Sequence, residues 1–98
     1  MLLADEPVAA LDPRHQLSVL DVLRARARQG CAVVAVMHDL ALASRYADRL
    51  VIMQAGRIAA EGAPAQVLDA RRLAEVFGIE AAFAERDGER LIALWRVV

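Results

Sequence analysis

The sequence predicts an α/β fold: a parallel sheet built strand–helix–strand–helix–strand, then a hairpin, short helices and a C-terminal hairpin. Three observations carry this. Leu2-Leu3-Ala4-Asp5-Glu6-Pro7 is an apolar run that ends in two adjacent acids. Cys31 to Met37 is a second apolar run, rich in valine, that ends in His38-Asp39. Between them Leu17, Leu20, Leu23 and Ala27 recur at helical spacing. A strand–helix–strand crossover returns the chain in its original direction, so the two runs are expected as parallel neighbours.

The elements follow in order. Residues 2–5 read as a short buried strand. Asp12 is the expected N-cap of the first helix and Pro13 its first residue, since a missing N–H costs nothing there. Arg24, Arg26 and Arg28 load its last turn and Gly30 ends it. Residues 31–37 suit a strand buried on both faces. Asp39 is placed to cap a shorter helix running to about Ala47. Residues 49–54 form the next strand, Ala55-Gly56 turns the chain and 57–61 returns as a hairpin. Pro64 opens a pair of short helices, 64–70 and 71–77. Asp87-Gly88 joins strands 80–85 and 90–97, a strong hairpin signal. The parallel core is thus expected in residues 1–54 and the hairpin-and-helix tail in 55–98.

Composition narrows the function. Ninety-eight residues allow one small domain at most. The apolar share is 58%, against roughly 45–50% for an average chain, so some strands expect covering layers from elsewhere. A net charge of −1 gives no basic field for nucleic acid and no polybasic membrane anchor. No apolar run reaches the length needed to span a bilayer, and acids from position 5 argue against a signal peptide. The single Cys31 excludes an internal disulfide; at the start of a buried strand it reads as an inert thiol. Phe77 and Phe83 read as core, Trp95 as packing, and Arg71-Arg72 as a solvated helix start.

Asp5-Glu6 and His38 should share the C-terminal edge of the sheet, roughly 5–10 Å apart given a strand spacing of about 4.8 Å, or two strand spacings apart if another strand intervenes. Open α/β sheets bind ligands at that edge. Two consecutive carboxylates point in different directions and can divide their work, one holding Mg²⁺ and the other positioning an attacking water. A facing imidazole can contact a terminal phosphate or that water. Taken singly, an acid pair before a proline is more often just a strand exit, and His-Asp usually a helix entry. Both together at one edge favour metal-assisted phosphoryl transfer.

These residues carry a resemblance. Leu2 to Pro7 resembles the Walker B motif of ATP-binding-cassette ATPases, with its extra glutamate. Ala9-Ala10-Leu11-Asp12 is similar to their D-loop, and Val36-Met37-His38-Asp39 to their switch-histidine motif. Tyr46 to Met53, Gly56-Arg57-Ile58 and Glu61 to Pro64 match the tail of transporter cassettes, the likeness loosening after Ile79. Val8 stands where the family usually has Thr, and Ala9 where many members have Ser. The segments 11–16, 37–43 and 73–79 look most like cassettes of iron-chelate, haem and cobalamin importers.

The resemblance implies part of a P-loop NTPase-type sheet and an ATPase using ATP and Mg²⁺. Asp5 would hold the metal, Glu6 would be the catalytic base, His38 would sense the γ-phosphate, and Asp12 would reach the opposing nucleotide across a dimer. Implied partners are a second ATPase subunit, head to tail, and a transmembrane permease. The implied location is the cytoplasmic face of the plasma membrane, without insertion and without nucleic acid. A chain without lysine cannot contain the phosphate-binding loop, and its non-adjacent glycines cannot form the signature motif. The expectation is therefore the C-terminal part of an importer ATPase, inactive by itself. Alternatives are a non-enzymatic assembly or regulatory piece, and part of a DNA-repair ATPase of the same family.

Overall fold

In the computed structural model, which describes residues 1–98, Leu2–Asp5 form strand β1, Pro13–Arg28 helix α1 and Val33–Val36 strand β2. These lie in the first of two units, Met1–Asp39. β1 and β2 pair in parallel, Leu2 opposite Val33 and Asp5 opposite Val36. The ladder runs past both ends: Leu2 N–H donates to Ala32 O at 2.7 Å and Glu6 N–H to Val36 O at 2.8 Å. The expected parallel neighbours are therefore present.

Local chemistry sets the ends of α1. Asp12 is extended (φ −71°, ψ 165°) and its side chain accepts from the His15 N–H, with Pro13 opening the helix. At the other end Gly30 has φ +94°. Its N–H donates to Ala27 O while Cys31 N–H reaches back to Arg26 O, both at 3.1 Å, a Schellman closure that only a left-handed residue permits. That closure consumes Cys31, so β2 starts at Val33 and not at 31, and Cys31 is a half-buried free thiol outside the strand.

β2 is not buried on both faces. α1 packs against it, and Val8 and Leu20 are the buried side chains of this unit. Cross-strand partners in a parallel pair share a face, and the face bearing Leu3, Val34 and Val36 is 67%, 49% and 48% exposed. One helix covers one face, which is why the apolar pattern outruns the burial.

The second unit, Leu40–Val98, contains α2 (Leu40–Tyr46), β3 (Leu50–Gln54), β4 (Arg57–Gly62), α3 (Pro64–Val67), α4 (Ala70–Phe77), β5 (Ile79–Arg86) and β6 (Glu89–Val97). Here the sequence expectation needs correcting. β3 does not extend the parallel sheet: it pairs antiparallel with β4, and the strands form three two-stranded sheets. Ala55 and Gly56 both have positive φ (52° and 76°), the primed turn that matches hairpin twist, so β4 is the partner reached at least loop cost. Asp87 and Gly88 (φ 54° and 78°) join β5 to β6 in the same way.

α3 is shorter than expected and α4 starts a residue earlier. Asp69, read from sequence as helix, is instead the N-cap of α4, accepting from Arg72 N–H at 2.7 Å. Arg72 Nη1 bonds Gln66 O and Val67 O, satisfying carbonyls that the end of α3 leaves open. Ile52, Val67, Leu68, Leu73 and Ile92 make the buried core, lined by Leu40, Leu50, Val76 and Ile79. The aromatic expectations fail: Phe77 and Phe83 are about two-fifths exposed and Trp95 is 66% exposed. Phe83 instead takes the Arg90 guanidinium over its ring at 4.6 Å.

Candidate functional site

Asp5 is the last residue of β1 and is exposed at its C-terminal end. Glu6 comes next, its N–H still held in the ladder by Val36 O, while its φ of +49° turns the chain out of the strand. A non-glycine residue in that region costs about 1–2 kcal/mol. Strain of this kind persists where the surroundings over-determine it, and it gathers at working sites. After Glu6 a tight turn follows. Ala9 N–H donates to Glu6 O at 3.2 Å and Leu11 N–H to Val8 O at 3.3 Å, with Val8 buried. Burial explains why an aliphatic side chain is at home at position 8.

His38 lies in the loop after β2, at the same edge. Its Nε2 stands 2.9 Å from Glu6 Oε1, the imidazole 86% exposed and the carboxylate side chain 29%. The spacing expected from strand separation is thus realised as direct side-chain contact. Oε1 is shielded from solvent and carries no aligned hydrogen bond, so proximity alone pairs the two groups. A buried acceptor without a donor costs about 1–3 kcal/mol. A carboxylate oxygen in that condition is poised to accept from the imidazole N–H.

Asp12 makes its contacts at the head of α1. Its Oδ1 accepts from His15 N–H at 2.9 Å and lies 2.8 Å from His15 Nδ1. The His15 backbone N–H, and after it the His15 ring, hold this carboxyl below the ordinary aspartate value. Gln16 Nε2 donates to Val8 O at 3.3 Å, fastening the turn to the helix. The Asp12–His15 pair was not read from the sequence. Its signal was there: Asp at the cap and His three residues on, where a capping box would put Glu or Gln.

Mg²⁺ takes oxygen ligands and is commonly held by one or two carboxylates plus substrate phosphates. An exposed Asp5 at the strand end fits that role. The chain has no group of three or more His, Cys, Asp or Glu able to hold a metal alone, so most of the shell would come from phosphates and water. No helix is long and apolar enough to cross a membrane.

No family model matches the chain. It is 56% identical over 77 residues to the hemin import ATP-binding protein HmuV of Rhodococcus jostii, covering 79% of this chain and 26% of that protein. The same-named proteins of Rhodopseudomonas palustris and Streptomyces coelicolor are 51% identical over 79 residues and 57% over 77. In these the match covers 81% and 79% of this chain, and 30% and 28% of the relative. The chain thus spans under a third of the length of these curated relatives. Among solved structures it resembles a metal-chelate type ABC transporter in an inward-facing conformation, with TM-score 0.76 and 21% identity. That match covers 95% of this chain and 38% of the other, and it speaks to the fold alone.

Proposed function

We propose, on the premise that this chain belongs to the ATP-binding-cassette ATPases and corresponds to their C-terminal part, that it serves in the ATP-hydrolysing subunit of an importer. Its relatives are named for hemin import, which supports haem as cargo before other iron chelates or cobalamin. The observation that carries the reading is the Glu6–His38 contact at the C-terminal edge of a parallel strand pair.

Glu6, whose Oε1 lies against His38, orients a water and takes its proton. His38, mostly exposed, faces outward to meet a terminal phosphate while its ring stays against Glu6. Asp5 would hold Mg²⁺, which would supply charge neutralisation at the phosphates. Asp12 reaches a second copy of the subunit at the opposing nucleotide. The working assembly is a head-to-tail dimer docked on a permease at the cytoplasmic face of the membrane. By itself the chain holds no phosphate loop and does not hydrolyse ATP.

A chimera tests this: the chain replaces the matching segment of the Rhodococcus jostii relative. The chimera should hydrolyse ATP and restore haem-dependent growth, and Glu6→Gln should lower turnover about 10²-fold or more. A folded chimera without ATPase activity, or a Glu6→Gln variant with full turnover, would overturn the proposal.

A further inference from the structure

We propose that His15 is the positioning residue for Asp12, a ring clamp that dedicates one carboxylate oxygen to the helix head and leaves only the other for an outside partner. The inference rests on the reading above for who that partner is, a second copy of the subunit. The clamp itself rests on geometry within this chain.

Asp12 Oδ1 receives two contacts from one residue, the His15 N–H at 2.9 Å and ring Nδ1 at 2.8 Å. A lone N-cap aspartate makes the first of these and can still rotate its carboxylate about the bond to the Cβ. Adding the ring fixes that rotation, because Oδ1 must face both donors at once. An ionised carboxylate can only accept, so Nδ1 must carry the proton. The neutral ring is then held as its Nδ1–H tautomer, with the Nε2 lone pair at its exposed end (the His15 and Asp12 side chains are 68% and 60% exposed). Oδ2 takes neither of the His15 contacts and is the oxygen left for a partner's N–H or O–H donor.

The placement also suits the helix. A histidine in the first turn would bring positive charge to the positive end of the α1 dipole if it were protonated. The adjacent Asp12 carboxylate offsets this. The clamp therefore aims an acidic side chain outward from a turn already fixed by Pro13 and by the Gln16 bond to Val8 O.

The tautomer is measurable. The chain has two histidines, so ¹⁵N–¹H correlation spectra of ring-labelled protein at mildly alkaline pH give two ring patterns, with His15→Asn assigning them. His15 should show the Nδ1–H pattern, and Asp12→Ala should shift it towards Nε2–H while the His38 pattern stays. An Nε2–H pattern in the unaltered chain, or one indifferent to Asp12→Ala, would overturn the clamp. In the chimera His15→Ala should cut ATP turnover about tenfold by misplacing Asp12. His15→Asn, whose amide nitrogen replaces Nδ1, should recover most of that loss. Equal turnover in wild type, His15→Ala and His15→Asn would overturn positioning yet leave the importer reading standing. A chimera with no turnover would strike that reading, and the tautomer in the isolated chain would still decide the clamp.

Discussion

Glu6 Oε1 and His38 Nε2 lie 2.9 Å apart, although one residue follows β1 and the other follows β2. Parallel pairing makes that contact possible. Two strands running the same way release their next residues at one edge, and a spacing of about 4.8 Å is within reach of a glutamate and an imidazole. An antiparallel pair would have sent these side chains to opposite ends. The site therefore depends on the crossover through α1, and whatever secures the ends of α1 secures the site.

The left-handed backbone at Glu6 gives the first prediction. Glycine has no Cβ penalty at φ +49°, and replacing glutamate also removes the shielded, unpaired Oε1. Glu6→Gly should raise stability by about 1 kcal/mol, seen as a higher urea midpoint followed by circular dichroism. The same change in the chimera should abolish hydrolysis. A less stable Glu6→Gly chain would show that the turn is unstrained and that the side chain serves structure.

Acid should act through Asp12. Hydrogen bonds from His15 hold its folded-state carboxyl below the ordinary value of 3.8. The unfolded chain therefore takes up the proton first as pH falls. The stabilisation is complete above about pH 3.8 and fades as pH drops through the lowered folded value. Asp12→Asn keeps an acceptor for the His15 N–H but cannot titrate. Urea midpoints of the two proteins should thus differ at neutral pH and converge in strong acid. A difference that stays constant down to about pH 2 would remove His15 as the cause.

The cap at Asp12, the stop at Gly30 and both hairpin turns were legible because each is written in a few adjacent residues, and the parallel pair because one helix-length crossover joins its strands. Legibility failed where partners are distant. The fold-back of Leu50–Gln54 on β4 was expected from its turn, but nothing local in that strand says that β3 and β4 pair only with each other. Phe77, Phe83 and Trp95 are apolar by type but exposed in place, and hydropathy cannot distinguish the two. At the site, sequence order placed Asp5, Glu6 and His38 at one edge, but the strain at Glu6 and the His15 clamp are conformational facts.

Leu73 is the most deeply enclosed side chain of the second unit, with no exposed surface. Leu73→Ala should cost about 2–5 kcal/mol, the range for emptying a leucine site that cannot collapse. In so small a core, that is enough to unfold the unit. Phe77, on the same helix but 39% exposed, should tolerate alanine at well under half that cost. Far-UV circular dichroism suits the measurement better than tryptophan fluorescence, because Trp95 is already two-thirds exposed in the folded chain. Equal losses at the two positions would mean that α4 is held by something other than its Leu73 face.

The uncovered face of the β1–β2 pair should govern the behaviour of the isolated chain. Leu3, Val34 and Val36 form a contiguous apolar surface with no layer over it inside Met1–Asp39. Surfaces of this kind, beside unpaired strand edges, drive association in solution. The 98-residue chain should therefore grow in apparent mass with concentration in analytical ultracentrifugation. Threonine is nearly isosteric with valine and keeps its preference for strands, so Val34→Thr with Val36→Thr should lower that association while leaving the parallel register intact. The Glu6–His38 contact then acts as an internal check: the His38 ring resonances should hold their positions while the mass falls. If the double variant associates as strongly as the parent, the sticky surface lies elsewhere, and the Trp95-bearing end of β6 becomes the next place to substitute.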